Sequence, residues 1–551
     1  MKIKLLSALL LGAAASALAA DPVPVISAAN ILAHTKVLSS DEFEGRAPGS
    51  AGEEKTVAYL VTELKKLGLQ PGNPDGTYIQ NVPLVGITSS PTLSFTLDGR
   101  TLTMENINDF VGPSSRLVPQ VGAKDSEVVF VGYGIVAPEF GWDDYKGVDV
   151  KGKTVVVLIN DPPVTTADGA LDPKVFGGKA MTYYGRWTYK YETAAAKGAA
   201  ACLIVHEVAP AAYPFAVVVN SWTRENFEIS TPDLNAGNVA MQGWLTLDAA
   251  RRLFTASGKD YDRAKAAAVR PDFQPFSLGA KATLNVDNIL RPVASKNVVA
   301  LLPGSDPKLR DEYVVYTAHW DHLGRDPRLP ADQIFNGAAD NASGTAQLIE
   351  VARAFTALPA DQRPKRSLVF LFVTAEEKGL LGSRYYASQD PLYPLTKTLA
   401  NINIDGSNMF GPTSDMATIG FGASTIDDIG IAVAAAQGRE MKPEARPENG
   451  SYYRSDHFEF AKVGVPSYYP KNGRSFIGQP ADFADKNVND YIANRYHKVG
   501  DEVQADWTFE GAAQDAVFLL QVGWRIANGD TWPEWKPGNE FKAKRDAMMR
   551  K

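Results

Sequence analysis

Strands alternate with helices from about residue 295 onward, and this alternation constrains the fold more than any other feature of the 551-residue sequence. Three apolar runs, at residues 313–318, 367–374 and 399–404, have the length and composition of buried strands. The alternation predicts an α/β domain whose sheet is mixed but mainly parallel and is flanked by helices.

Each of these three runs leads into ionisable residues. His319 follows the first run, Glu376 and Glu377 follow the second, and Asp405 follows the third. Ligands of open α/β sheets collect beyond the carboxyl ends of the strands. We therefore expect these side chains to converge on one crevice.

The residue types at this crevice favour a metal ion. The chain has a single cysteine, Cys202, which excludes an intrachain disulfide and a thiolate cluster, so a metal must be bound by histidine and carboxylate groups. Asp340 precedes a helical pattern, where a carboxylate is compatible with the helix dipole and with bridging two cations. Carboxylates that end neighbouring buried strands repel one another unless a cation neutralises them. Zinc is the best candidate.

Charge and the N-terminal segment restrict the partners and the compartment. The net charge is −7 and no run of Lys or Arg resembles a nucleic-acid footprint, so we expect no nucleic-acid partner. Lys2 and Lys4 precede a short apolar stretch that ends in small residues at 17–20, which predicts a cleavable signal peptide over residues 1–20. No later segment reaches about 18 consecutive apolar residues, so we expect no transmembrane anchor. Export with almost no cysteine suits a periplasmic or secreted bacterial protein.

Six motifs occur in an order that resembles the co-catalytic di-zinc aminopeptidase family, which also contains glutamate carboxypeptidases, glutaminyl cyclases and the transferrin receptor. The motifs are residues 317–322 (TAHWDH), 340–344 (DNASG), 376–379 (EEKG), 403–405 (NID), 454–458 (RSDHF) and 496–497 (YH). The early residues 40–46 are similar to the N-terminal loop of that family. The resemblance covers about residues 26–90 and 290–530, and the segments 152–157 and 194–205 resemble the protease-associated domain often inserted in these enzymes.

The resemblance divides the chain into five parts. They are a signal peptide (1–20), the N-terminal part of the peptidase domain (21–120), a mainly β protease-associated insert (121–285), the catalytic zinc peptidase domain (286–530) and a C-terminal tail (531–551). Within the insert, the sequence pattern predicts one alanine-rich helix from about residue 193.

The resemblance also implies the metal ligands. Asp340 would bridge two zinc ions. His319 and Asp405 would complete the shell of one ion, and Glu377 and His497 would complete the shell of the other.

Further roles follow from the same motifs. Glu376 would be the general base, with Glu377 pointing the opposite way if the strand continues through both residues. Asp321 would accept the second ring proton of His319. Tyr496 matches the oxyanion-stabilising tyrosine of the family, and a packed aromatic side chain is the alternative interpretation.

Residues 454–457 and 181–191 have less definite roles. Arg454, Asp456 and His457 match a family segment near the substrate pocket, and we interpret them as residues that contact substrate or support the site, and not as metal ligands. For His322 we expect a structural hydrogen bond. The aromatic stretch 181–191 either contacts substrate or, as such residues more often do, packs within the insert and its interface.

The function that the resemblance implies is that of a secreted or periplasmic zinc metalloexopeptidase. The leading hypothesis is an aminopeptidase that removes N-terminal residues from peptides. A carboxypeptidase or dipeptidase is the alternative, because the choice of terminus depends on pocket charges that spacing does not reveal. A glutaminyl cyclase is a more remote alternative, because the glutaminyl cyclases of the family that this sequence resembles use one zinc ion and lack the insert. An inactive receptor-like binding domain is also remote, because no ligand position is substituted. The oligomeric state stays open.

Overall fold

The computed structural model describes residues 21–22 and 25–550, so the predicted signal peptide lies outside the described residues. The longer strands are Ile79–Leu97 (β1), Arg100–Met104 (β2), Gln120–Phe130 (β3), Thr154–Leu158 (β4), Ala201–His206 (β5), Asn226–Ile229 (β6), Met241–Thr246 (β7), Phe276–Leu302 (β8), Tyr313–His319 (β9), Ser367–Val373 (β10), Thr398–Asn403 (β11), Asp415–Ile419 (β12), Glu440–Pro443 (β13) and Ser467–Asn472 (β14).

The longer helices are Ala28–Leu38 (α1), Ala51–Lys66 (α2), Trp187–Ala196 (α3), Phe215–Trp222 (α4), Leu247–Ala256 (α5), Tyr261–Ala268 (α6), Ser343–Thr356 (α7), Ile426–Ala436 (α8), Phe483–Asn494 (α9), Glu510–Asn528 (α10) and Lys542–Met549 (α11). Among the described residues, no helix is both long enough and apolar enough to span a membrane.

One half of the large sheet has the strand order β13-β12-β14-β11-β9-β10-β8. β9 pairs in parallel with β10 and β11, and β11 pairs in parallel with β14. β8 and β12 run antiparallel to their neighbours β10 and β14. The predicted α/β class with a mixed, mainly parallel sheet is therefore confirmed.

The central strands are apolar throughout because both of their faces are covered. Val314 and Phe370 pack on one face in a cluster with α7, and Val315 and Val369 pack on the other face in a second cluster. α7 itself packs against α1 and α10. This double cover fixes the position of the strand ends, on which the site is built.

The two longest strands connect this half of the sheet to the insert. β1 and β8 pair antiparallel from Ile79 opposite Val298 to Thr96 opposite Lys281. Beyond β8 the sheet continues in the order β3-β4-β5-β7, and those four strands are parallel to one another.

The insert contains more helix than its sequence pattern suggested. The structure has α3, α4, α5 and α6 where we expected a single alanine-rich helix, and α3 begins at Trp187, ahead of the alanine run. α4 contains three consecutive valines, which by themselves favour a strand. Packing of Val218 into the core of the insert accompanies the helical conformation, so tertiary contacts outweigh local propensity.

Candidate metal centre

Neighbouring parallel strands bring the candidate site residues to one edge of the sheet. β9 ends at His319, and Glu376 and Asp405 follow the ends of β10 and β11 within three residues. Asp340 lies in the turn that leads into α7. The strands are adjacent, so residues that are far apart in sequence share one crevice, as the strand ends predicted.

His319, Asp340 and Asp405 form a first group of possible metal ligands, with one ligand atom of each within 4.8 Å of the others. Nε2 of His319 lies 3.4 Å from Oδ1 of Asp340 and 3.7 Å from Oδ1 of Asp405. The second oxygen of Asp405 accepts a hydrogen bond from the Tyr469 hydroxyl at 3.0 Å. One carboxylate oxygen thus faces His319 while the other is held by the protein.

A second group forms on the other side of Asp340. Nε2 of His497 lies 3.3 Å from Oδ2 of Asp340 and 3.1 Å from Oε2 of Glu377. Nδ1 of His322 lies 2.6 Å from Oε1 of Glu377, and His322, Asp340 and Glu377 also have the spacing of a ligand set. Asp340 therefore directs one oxygen to each group.

The donor set and its spacing fit divalent cations such as zinc. His319 is almost fully buried, and within the described chain its Nε2 has no hydrogen-bond partner. Donor atoms around one tetrahedral zinc, each about 2.0–2.1 Å from the ion, lie about 3.3 Å apart. The four contacts between candidate ligands span 3.1–3.7 Å. The carboxylates of Asp340, Asp405 and Glu377 are buried or half-buried and lie close together, so they repel one another unless a positive charge neutralises them.

Asp321 makes different contacts from those expected. Nδ1 of His319 lies 3.2 Å from the backbone oxygen of Asp321 and 3.8 Å from its carboxylate, so the carbonyl is the nearer acceptor. The carboxylate accepts hydrogen bonds from the backbone amides of Glu376 and Glu377 at 3.0 and 3.4 Å. Asp321 therefore links the His319 strand end to the loop that carries both glutamates.

Glu376 and Glu377 do not lie on a continuing strand, so the expected alternation of their side chains does not apply. β10 ends at Val373, and Ala375 has a positive φ of 54° that turns the chain into a loop. Glu377 meets His322 and His497, whereas the pKa of Glu376 is raised well above its ordinary value by burial and by the Asp405 carboxylate. The loop, not the strand pleat, gives the two glutamates different surroundings.

Tyr496 lies at the surface beside the second group. Its side chain is 47% exposed, and its ring stacks on the ring of His497 with centroids 4.0 Å apart. Of the two interpretations of this residue, a tyrosine available to a substrate fits the exposure better than one packed in a core.

Residues 454–457 run past the first group. Arg454 is exposed, whereas Asp456 and His457 are fully buried. The His457 ring is packed between Tyr452 and Tyr469, with both centroids 4.5 Å away, and burial lowers its pKa to about 3. Because His457 is enclosed by these rings, it supports Tyr469, which in turn contacts Asp405.

Arg46 is a buried cation of the site that was not singled out from the sequence, although it lies in the resembling stretch 40–46. Its guanidinium donates to four backbone carbonyls, at distances of 2.6–2.9 Å, namely those of Leu38, Trp320, Asn336 and Gly337. Burial lowers the pKa of Arg46 to about 10, and the carboxylates of Asp501, Asp321, Asp340 and Glu377 oppose that shift. Arg46 thus ties the N-terminal segment to the main chain after His319 and to the segment that precedes Asp340.

Asp501 was also missed. It is buried, and its carboxylate accepts hydrogen bonds from the backbone amides of Ala339 and Asp340 at 3.0 and 3.1 Å. These bonds hold the backbone of Asp340 from behind. Its position four residues after His497 was the only available signal.

Comparison with known proteins finds a family match for the part of the chain that carries the site. Residues 297–520 match the model of Peptidase family M28, which confirms the resemblance that the motifs predicted. The chain is 33% identical over 141 residues to Aminopeptidase NAALADL1 of Mus musculus, covering 24% of this chain and 17% of that protein. It is 30% identical over 179 residues to Aminopeptidase YwaD of Bacillus subtilis, covering 31% of this chain and 34% of that protein.

These alignments span about a third or less of the length of the curated relatives. Among solved structures, an aminopeptidase from Aneurinibacillus sp. strain AM-1 superposes with a TM-score of 0.45 at 21% identity, covering 91% of this chain and 94% of that one.

Proposed function

We propose that this chain, with its Peptidase family M28 segment at residues 297–520, is a zinc-dependent exopeptidase that removes N-terminal residues from peptides. The observation that carries the proposal is the position of Asp340 between two groups of donor atoms, 3.4 Å from His319 on one side and 3.3 Å from His497 on the other. Two such groups that share one carboxylate are the arrangement required for a pair of cations.

In this proposal each residue has a defined part in metal binding. Asp340 would bridge two zinc ions, His319 and Asp405 would hold one of them, and Glu377 and His497 would hold the other. Bound zinc would supply Lewis-acid polarisation of the scissile carbonyl and acidification of the attacking water.

Glu376 is the proposed general base. Its carboxylate accepts a proton from the attacking water and returns the proton to the leaving amine. The two backbone amides that donate to Asp321 hold the Glu376 loop in place. The Tyr496 hydroxyl, at the exposed side of the second group, would donate a hydrogen bond to the carbonyl oxygen as negative charge develops on it.

A matched set of peptides tests the proposal. The set contains one sequence with both termini free, with the N-terminus acetylated, and with the C-terminus amidated, each assayed with and without a chelator. An aminopeptidase cleaves the free and amidated peptides, spares the acetylated one and stops when chelated. Cleavage of the acetylated peptide only from its C-terminus would indicate the alternative, a carboxypeptidase, and chelator-resistant cleavage would contradict the metal assignment.

The proposal includes export to the periplasm or medium. The charged and apolar pattern of residues 1–20 supports it. N-terminal sequencing of the protein recovered from expressing bacteria should begin at Asp21. Retention of residues 1–20 would contradict export through this segment.

A further inference from the structure

The C-terminal tail is anchored to the catalytic part on both sides of Glu540. Before Glu540, the buried Trp535 donates a hydrogen bond from its indole nitrogen to the Gly464 carbonyl at 2.9 Å. After Glu540, the buried Arg545 donates to two backbone carbonyls of the catalytic part at 3.0 and 2.9 Å. The two anchors fix the path of the chain between them.

Glu540 joins the insert to the catalytic part. One of its carboxylate oxygens accepts a hydrogen bond from the Tyr453 hydroxyl of the catalytic part at 2.8 Å. The other oxygen accepts a hydrogen bond from the backbone amide of Tyr183 in the insert at 3.1 Å. The Tyr183 ring also packs against the catalytic part, with its centroid 5.9 Å from that of Tyr453 and 4.9 Å from that of Phe458. One side chain of the tail therefore holds both parts at their junction.

Phe541, the next residue of the tail, packs against the same segment of the catalytic part. Its ring is nearly parallel to the Tyr452 ring, with the centroids 6.3 Å apart, and lies 6.2 Å from the Phe458 ring. The tail therefore contacts residues 452 and 453 both by ring packing and by a hydrogen bond.

A line of rings leads from this segment to the candidate metal centre. The His457 ring lies between the rings of Tyr452 and Tyr469, with both centroids 4.5 Å away, and the Tyr469 hydroxyl donates to Asp405 at 3.0 Å. Both ring nitrogens of His457 are buried, and neither has a hydrogen-bond partner among the described residues. The neighbouring rings therefore set the position of His457. Because interiors are close-packed, a shift of Tyr452 is passed on toward Asp405.

We propose that Glu540 is a positioning residue for Asp405, a member of the first group of possible zinc ligands. By holding Tyr453, Glu540 keeps the neighbouring Tyr452 ring against His457. The line of rings then fixes the orientation of the Asp405 carboxylate. Because Glu540 also holds the insert, the insert and the tail both support the metal centre. This positioning role rests on the proposed function, since it assumes that the first group binds zinc.

The affinities of the two zinc positions test this role, measured in the whole protein by titration with zinc against a chromophoric chelator. Glu540→Ala leaves the buried Tyr453 hydroxyl without its acceptor. We expect it to weaken binding at one zinc position about 2–30-fold, the range for residues that act through a network, and to leave the other position unchanged. Glu540→Gln keeps one acceptor oxygen and should recover part of the affinity. Equal weakening at both positions, or no change at either, would overturn the proposal.

Two further variants identify the route and provide a control. Tyr469→Phe removes the hydroxyl that donates to Asp405, so it should weaken the same zinc position as Glu540→Ala. When Tyr469→Phe is already present, Glu540→Ala should change that affinity by less than about twofold, because the two residues act in series. A full effect of Glu540→Ala in that background would contradict the route. Glu534→Ala removes an exposed glutamate of the same tail and should change neither affinity.

Hydrogen exchange in the metal-free protein separates this role from the proposed function. If the wild-type protein binds no zinc, or binds zinc and cleaves no peptide, the proposed function fails. Exchange of the backbone amides of residues 452–457 and of β14, which carries Tyr469, would still test the positioning role. Faster exchange of both segments in Glu540→Ala, with no change in Glu534→Ala, supports it. Faster exchange confined to residues 452–457, or no faster exchange, contradicts it.

Discussion

His322 and Glu377 form a buried hydrogen bond, with Nδ1 of the imidazole 2.6 Å from Oε1 of the carboxylate. The other oxygen of Glu377 faces Nε2 of His497 at 3.1 Å. His322 thus holds one oxygen of Glu377 and leaves the other directed toward the second candidate metal position. Such contacts to a ligand fix its orientation and affect metal affinity.

The first prediction concerns His322. We expect His322→Leu to weaken binding of one zinc ion about 10–100-fold, as loss of a partner of a metal ligand generally does. His322→Asn places an amide nitrogen near the position of Nδ1 and should recover part of that affinity. Zinc titration against a chromophoric chelator measures both. Unchanged affinity for both ions in His322→Leu would mean that Glu377 needs no such support.

The second prediction concerns Glu376. Glu376→Gln removes the proposed proton acceptor but keeps the shape of the side chain, so peptide hydrolysis should fall about 10²–10⁴-fold while bound zinc is retained. Glu440→Gln changes an exposed glutamate of β13 and should alter neither property. Metal analysis and the peptide assay are run on the same preparations. Normal turnover by Glu376→Gln would assign the base to another residue.

The third prediction concerns zinc removal. We expect about two zinc ions per chain, because the two-metal arrangement needs both. Chelation should lower the unfolding temperature, since the crowded carboxylates of the site lose their neutralising cations. Free zinc at about 100 times its dissociation constant should restore about 2.7 kcal/mol per ion. Calorimetry before and after chelation checks this, and an unfolding temperature that is insensitive to zinc would contradict it.

The fourth prediction concerns pH and Glu53, whose carboxylate is buried under the loop that carries Glu376. Both of its oxygens lie 3.1 Å from the Ser295 hydroxyl, which lies 2.6 Å from the hydroxyl of Thr374. Burial raises the pKa of Glu53 to about 7 from 4.5. Because the folded pKa is the higher one, the contribution of Glu53 is fully present below pH 4.5 and is lost as the pH rises through 7.

The free energy of unfolding should fall by at most about 3.5 kcal/mol, at about 1.4 kcal/mol per pKa unit. Glu53→Gln cannot ionise, so its free energy of unfolding relative to the wild-type protein should rise between pH 5 and pH 8. Urea unfolding at the two pH values measures the difference. A constant difference between the two proteins would show that Glu53 titrates normally.

Much of the candidate site was accessible from the sequence because its residues follow strand ends. The apolar runs predicted β9, β10 and β11 nearly to the residue, and the edge of a parallel sheet then brings His319, Asp405 and the Glu376 loop together. The helical pattern after Asp340 likewise predicted that this residue lies just before the start of α7. These features depend on local periodicity, which sequence records directly.

The surroundings of each side chain were decided only by the tertiary structure. The turn at Ala375 places Glu376 and Glu377 in different surroundings. The carboxylate of Asp321 accepts hydrogen bonds from backbone amides and not from His319. Arg46 and Asp501 reach the site through hydrogen bonds to or from the main chain of other segments. Backbone partners carry no sequence signature, because every residue offers the same amide and carbonyl.

The sequence by itself therefore determined the fold class, the strand ends and the order of the candidate ligands. Only the tertiary structure decided which oxygen of each carboxylate is free, which buried groups hold the loops, and that Tyr183 of the insert packs against Tyr453 and Phe458. The physical reason is distance along the chain. Periodicity and motifs report contacts within one element, whereas these contacts join segments that are at least 55 residues apart and depend on how the elements pack.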